Sequence, residues 1–270
     1  MCTCHPFALR SISVYNAPML PSRPPLQSID DVLLQLDDVI QFCWDRSSRL
    51  GYFPALYRKV TRRVKDGIEK GEFQNGPRME ELDICFAGRY LDAWAQHRAG
   101  ELPTRAWLAA FRAAKNSELL VIQHLLLGMN AHINLDLGIA AARTSPGPAL
   151  TNLQPDFNKI NEVLAELTNG VKEELEQIWP PLRGLDQLVG RLDDAVVNFS
   201  MSRARGQAWN VARRLAVLPV HGQLPVMAEV DTWASIFAEG VVRPPLAEAA
   251  LRLIRREEHG DVRSTIDLLM

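Results

Sequence analysis

Between Gln123 and Gly138 the chain reads Q-H-L-L-L-G-M-N-A-H-I-N-L-D-L-G. Leucine, isoleucine, methionine and alanine suit this segment to a core, yet it carries Gln123, His124, Asn130, His132, Asn134 and Asp136. A buried polar group left unpaired costs about 1–3 kcal/mol, so these side chains require partners: structural hydrogen bonds, water or a ligand. His132 and Asp136 are four apart, and on a helix both reach one point beside it. That spacing suits a metal ion, or a histidine oriented by a carboxylate. A divalent metal held there would lower the pKa of bound water and make a nucleophile near neutral pH. Without metal the pair offers acid–base chemistry, and as a satisfied polar network it offers neither. His124 lies roughly 12 Å up the helix axis from His132. It cannot share one ion with His132 unless the helix breaks at Gly128, but it suits a two-ion site or an elongated pocket as ligand or general base.

At 100° per residue, Gln123, Asn130 and Asn134 fall within about 40° of one another, while His124, His132 and Asp136 spread over a different arc of about 120°. Polar groups on two sides of an apolar helix imply a central helix with neighbours on both sides. The helix before it supplies candidates to meet them: Asp83, Ala87, Tyr90, Trp94 and His97 share a stripe, from which Asp83 and Tyr90 can face the centre. Asn130, Asn134, Tyr90 and Asp83 are therefore the expected substrate-orienting groups. Arg89 and Asp92 suit an ion pair or interhelical clamp. Asn161, Asn198, Ser202 and Arg205 are further polar core candidates, and Asp156 suits a helix N-cap.

The elements that must position these residues are helical. Ser28 and Asp31 start a helix whose apolar positions are Val32, Leu33, Leu36, Val39, Ile40 and Cys43. A second holds Pro54 in its first turn and carries Phe53, Tyr57, Val60, Val64 and Ile68 on one stripe, with Gly71 as a stop. A third runs from about Pro77 to Arg98. A fourth begins at Thr104 and leads into the apolar segment as far as about Arg143. T-S-P-G-P at 144–148 breaks the chain. A long helix follows on Phe157, Ile160, Leu164, Leu167, Val171, Leu175 and Ile178, stopped by Pro180-Pro181, and helical periodicity covers 185–218, 228–241 and 245–269. No strand pattern and no repeat is evident. The fold class expected is all-α, a single multi-helix bundle around a buried central helix decorated with polar groups, over residues 26–270. Residues 1–25, rich in proline, are expected to be irregular or disordered.

The totals bound the function. The chain has 270 residues, 47% hydrophobic and 23% charged, with net charge −2, which is ordinary for a globular protein and lacks the basic excess of a nucleic-acid binder. The four cysteines Cys2, Cys4, Cys43 and Cys85 are not spaced as a disulfide framework, and reduced thiols in the cytoplasm are expected. The N-terminus lacks the apolar core of a signal peptide. Leu119 to Leu127 is the nearest approach to a membrane span and falls short of the roughly 18 residues required. Cys2-x-Cys4-His5 is half of a zinc site without a second pair. Asp30-Asp31 and Asp37-Asp38 lack the third aspartate of the D-D-x-x-D motif of terpene cyclases. Paired E-x-x-H helices, phosphate-binding glycine loops and a G-x-S-x-G elbow are absent. The basic residues Arg58, Lys59, Arg62, Arg63 and Lys65 suit a solvated helix face.

Five stretches together resemble an uncharacterised, mainly bacterial family known only as a domain of unknown function: R-x-x-x-F-P-A-L-Y-R-K-V-T from Arg49, E-L-D-I-C-F-A-G-R-Y-L-D-A from Glu81, H-L-L-L-G-M-N-A-H-I-N-L-D-L-G-I-A-A-A from His124, D-F-N-K-I-N-E-V-L from Asp156, and A-V-V-N-F-S from Ala195. The resemblance covers roughly residues 28–268, with N-A-H-I-N-x-D-L as its most specific element. It implies one helical domain and supplies no activity, cofactor or catalytic residue. The H-x-x-x-D pair is also similar to those of helical zinc phospholipases and single-strand nucleases, although the further histidines of their trinuclear site have no counterpart here.

Two functions follow as expectations. One is a metal-dependent hydrolase on a small or lipid-like molecule, with His132, Asp136 and His124 as ligands or catalytic groups. The other is a non-catalytic helical module that binds an apolar ligand or a protein partner, in which the same residues knit helices together.

Overall fold

A computed structural model describes residues 24–178, 201–243, 255, 256, 258 and 260–270. The proline-rich tail with Cys2, Cys4 and His5, the Pro180-Pro181 stop, Asn198, and the helices expected over 185–200 and 245–254 lie outside the described residues. Among the described residues the fold is all-α. Its helices are α1 (Ile29–Asp45), α2 (Tyr52–Glu69), α3 (Gly76–Arg98), α4 (Arg105–Ala113), α5 (Val121–Thr144), α6 (Leu150–Ile178), α7 (Met201–Ala216), α8 (Val220–Val242) and α9 (Val262–Leu269).

Local chemistry sets many of the boundaries. Ser28 accepts from Asp31 N while the Asp31 carboxylate accepts from Ser28 N, a reciprocal cap that starts α1. The stripe of Val32, Leu36, Val39, Ile40 and Cys43 then lies buried at helical spacing. Asn75 caps α3 by accepting from Arg78 N. Gly71, with φ of 71°, turns the chain after α2.

Other boundaries are set from a distance. Helix α4 does not continue into α5, as periodicity alone suggests; residues 114–120 separate them. The first turn of α4 is capped across the fold, Arg105 N and Ala106 N both donating to Asp231 of α8 at 2.9 Å. At the start of α5, Leu120 N donates to Gln123 Oε1 at 3.0 Å and Val121 N to Glu258 Oε1 at 3.0 Å. Helix α6 begins at Leu150, earlier than expected, with Pro155 inside it. Asp156 is therefore not its N-cap. Its carboxylate accepts from Gln74 N, Asn75 N and Arg78 Nη2 at 2.6, 3.1 and 2.9 Å and fixes the turn between α2 and α3. The basic residues of α2 are not simply solvated either: Arg58 grips Asp37, Lys65 reaches Asp30 at 2.6 Å, and Arg63 reaches Glu72 at 2.9 Å.

Helix α5 is the axis of the bundle, packed by α2, α3, α4, α7 and α8. Its window is apolar and long enough to cross a membrane (mean hydropathy 1.3), which corrects the expectation that no segment reaches that mark; 89% of the window is buried inside the fold. Two glycines let neighbours approach closely. A Cβ on Gly128 would stand 2.5 Å from the Phe53 ring of α2, and one on Gly138 would stand 2.6 Å from the Ala208 carbonyl of α7.

Candidate functional site

The polar residues of α5 sit on an irregularity. Asn130–Leu137 forms a π-helical turn between two α-helical stretches. Its wider ring advances less than 100° per residue, so angular positions drawn from an ideal α-helix drift within it. Such turns are rare and frequent at functional sites.

Asp136, fully buried, is held by two helices at once. Arg89 Nε of α3 donates to Oδ1 at 2.6 Å, and Trp107 Nε1 of α4 donates to Oδ2 at 2.7 Å. Burial pushes its pKa up, but Arg89, His132 and Trp107 more than offset this and hold the carboxyl below its ordinary value. Arg89 thus clamps α3 to α5.

His132 stands beside this carboxylate without a hydrogen bond to it. Nδ1 lies 3.7 Å from Asp136 Oδ2, beyond hydrogen-bond range, and both ring nitrogens are buried without a hydrogen-bond partner among the described residues. Its environment is aromatic. Phe86 stacks on it at 3.5 Å between centroids, Tyr57 meets it edge-on at 4.4 Å, and Phe53, Trp107 and Tyr90 complete the cage at 5.5, 6.0 and 6.4 Å. Burial holds the imidazole below its ordinary pKa despite Asp136, so it is neutral near pH 7.

The other arc faces α8. Gln123 Nε2 donates to the Val241 carbonyl at 2.7 Å, Asn130 Nδ2 to the Ala234 carbonyl at 2.8 Å, and Asn134 Nδ2 to Asn130 Oδ1 at 2.9 Å. Asn130 and Asn134 therefore stand apart from the cage around His132. His124 is apart from it too: it lies edge-on to Tyr52 at 5.8 Å, Nε2 is buried without a partner among the described residues, and burial, then Arg49 and Arg255, push its pKa down to about 4.

Asp83 and Tyr90 flank the cage from α3. Tyr90 packs on Phe53 and Trp107 at 5.2 and 5.0 Å. Asp83 is buried with Oδ2 unpartnered among the described residues; burial, and secondarily Glu80, push its pKa up to about 7. Tyr57 Oη and Thr61 Oγ1 of α2 are likewise buried and unpartnered among the described residues, and the Asp83 charge is felt at Tyr57. Further out, Arg205 donates to Asn161 Oδ1 at 2.7 Å and to the Phe157 carbonyl, and lies 4.4 Å over the Phe157 ring. Ser202 is exposed.

The arrangement brings His132 and Asp136 together, two of the three or four ligands that a protein-bound zinc needs. Among the described residues no three His, Cys, Asp or Glu side chains gather as a metal cage. The aromatic members Tyr57, Phe86 and Trp107 escaped the sequence reading as site residues. Phe53 and Tyr57 were visible only as a helical stripe, and Trp107 carried no signal of its own.

An open cavity of about 550 Å³ lies elsewhere, where the turn before α2 meets α9. Arg49, Tyr52, Val121, Arg255, Glu258 and Arg263 are among its walls. No sequence pattern joins them, since tertiary folding brings residues 47–52 to 255–267.

No curated protein and no solved structure matches the chain. A family model matches residues 29–244, ending short of α9 and of the cavity wall it provides. The match takes in the whole of α5 with its polar turn, and the chain belongs to the family of unknown function DUF5995.

Proposed function

We propose that the protein is a non-catalytic helical module that binds a small molecule with an apolar body, seated in the open cavity between the turn before α2 and α9. The observation that carries this reading is how the polar groups of α5 are used. Both oxygens of Asp136 are occupied by Arg89 and Trp107, and Gln123 and Asn130 donate to backbone carbonyls of α8. These groups fasten α3, α4 and α8 to the axis, which is work a bundle needs without any reaction. The cavity, by contrast, has the size of a small-ligand site and polar walls. The free thiols Cys43 and Cys85 suit a cytoplasmic setting within the same proposal.

A second reading places catalysis at His132 and Asp136 on a small or lipid-like substrate, with or without a divalent metal. The unpartnered nitrogens of His132 favour it, since a buried imidazole without hydrogen bonds is a costly group to keep.

Elemental analysis of the purified wild type beside His132→Ala and Asp136→Ala, each checked by circular dichroism, separates the binding reading from the metal-dependent form of the second. The binding reading expects no stoichiometric metal, with loss of stability in both variants. Near-stoichiometric metal, lost from both variants while they remain folded, would overturn it in favour of the metal site.

A further inference from the structure

We infer that the cavity between Arg49, Tyr52 and α9 binds a small organic anion, a carboxylate or phosphate on an apolar body, with Arg49 as the anchoring cation. The inference rests on the binding reading above and names the chemical class of its ligand.

The charges around the cavity are unequally committed. Glu258 accepts from Val121 N through Oε1 at 3.0 Å, and its Oε2 stands 3.2 Å from Arg255 Nη1. Asp261 caps α9, its Oδ1 accepting from Arg263 N and Ser264 N at 2.8 and 3.0 Å. Asp267 is exposed, where water screens it. On the positive side, Arg263 donates to the carbonyls of Trp44 and Asp45, both at 2.9 Å, and its charge helps to hold the Asp261 carboxyl below its ordinary pKa. Arg49 is half-buried and lines the cavity, and its side chain has neither a hydrogen-bond nor an ion-pair partner among the described residues.

Arg49 is close enough to Glu258 for its charge to oppose the burial that raises that carboxyl's pKa, yet its guanidinium is engaged in no hydrogen bond among the described residues, and such a planar fork matches a carboxylate or phosphate bidentately. The local field has the same sign: Arg49 and Arg255, after burial, favour the neutral form of His124 behind Tyr52. The remaining walls include Tyr52, Leu119, Val121 and Val262, which would cover an apolar body. A volume of about 550 Å³ accommodates a ligand of modest size.

The test is thermal unfolding of the full chain in benzoate, hexanoate or inorganic phosphate, against chloride at matched ionic strength and against neutral benzamide. Wild type is expected to show saturable stabilisation by at least one of the anions over chloride and benzamide. Benzoate or hexanoate acting alone would assign a carboxylate, phosphate acting alone a phosphate. Arg49→Gln, which breaks no bond to a described residue, is expected to fold and to require about tenfold more anion. Arg49→Lys is expected to fall between them, and the exposed Arg112→Gln to match wild type. No saturable anion effect, an equal effect of benzamide, or an undiminished effect in Arg49→Gln would overturn the inference. Such a failure in metal-free, folded protein removes only the ligand class, whereas metal lost from His132→Ala and Asp136→Ala removes the binding reading itself.

Discussion

Trp107 of α4 donates its indole N–H to Asp136 of α5 at 2.7 Å, while Arg89 of α3 takes the other carboxylate oxygen at 2.6 Å. One buried carboxylate thus fixes two helices against the π-helical turn. Removing it strands a guanidinium whose side chain is only 12% exposed and a buried indole N–H.

Asp136→Ala is therefore expected to lose about 3–5 kcal/mol in urea unfolding, the usual cost of breaking a buried pair from one side. Arg89→Met is expected to lose stability as well, because it leaves Asp136 charged and buried. The Asp136→Asn, Arg89→Met double variant should cost clearly less than the sum of its single changes, since neither charge remains to be stranded. Additive losses would show that the two groups are not coupled, and the clamp would have no energetic content.

Asp83 makes a prediction about pH. Burial, with Glu80 adding to the shift, pushes its carboxyl from the ordinary 3.8 up to about 7 in the fold. Between those values the folded protein keeps a proton that the unfolded chain releases. Its contribution to stability is thus fullest in acid and falls as pH rises, by at most about 1.4 kcal/mol per unit. The histidines act in the opposite sense: His124 and His132 have lowered values, so their contribution is complete above about 6.5 and falls in acid. Comparing Asp83→Asn with wild type cancels the histidines. The variant is expected to gain on wild type steadily from pH 4 to 7, by a few kcal/mol in total, and then level off. A difference that stays flat over that range would mean that Asp83 is ionised in the fold.

Much of this architecture was legible in local sequence, and the rest was decided at long range. The Ser28–Asp31 cap, the buried stripe of α1, the break at 144–148 and the approach of His132 to Asp136 follow from spacing alone. The gap between α4 and α5 does not, because residues 114–120 contain neither glycine nor proline. Its far end is held by Glu258, which accepts from Val121 N and belongs to a distant part of the chain. Asp156 misled for the same reason: it has the residue type of a cap, yet its partners lie on the turn before α3. The π-helical turn was invisible as well, since its residues are ordinary helix residues and the wider ring depends on what packs around them. The cavity at Arg49 joins segments more than 200 residues apart, and no periodicity signals such a meeting.

Glycine gives a paired test of how tightly α5 is packed. Gly128→Ala places a methyl group 2.5 Å from the Phe53 ring, and overpacking of this kind costs about 1–3 kcal/mol. Gly206 is exposed on α7 with nothing within 4 Å of a built Cβ, so Gly206→Ala is expected to raise stability by up to about 1 kcal/mol through helix propensity. Chemical denaturation of both variants measures the contrast. Equal effects would mean that the backbone around Gly128 shifts freely and that α2 is not in close contact there.

His132 provides the sharpest separation of structure from chemistry. Its imidazole makes no hydrogen bond among the described residues, lies 3.5 Å above Phe86, and is enclosed by Phe53, Tyr57, Tyr90 and Trp107. A ring used only for packing can be exchanged for another aromatic ring of similar shape, and losing two unpaired polar atoms from a core is favourable. His132→Phe is expected to remain folded with stability within about 1 kcal/mol of wild type or above it. His132→Ala is expected to lose several kcal/mol, because it empties the centre of the aromatic cage. If the ring nitrogens instead hold a metal, a water or a substrate, His132→Phe removes that partner. It would then destabilise the protein nearly as much as alanine does. Urea unfolding of the two variants side by side decides between these outcomes, and a loss in His132→Phe comparable to that in His132→Ala would return His132 to the centre of a functional site.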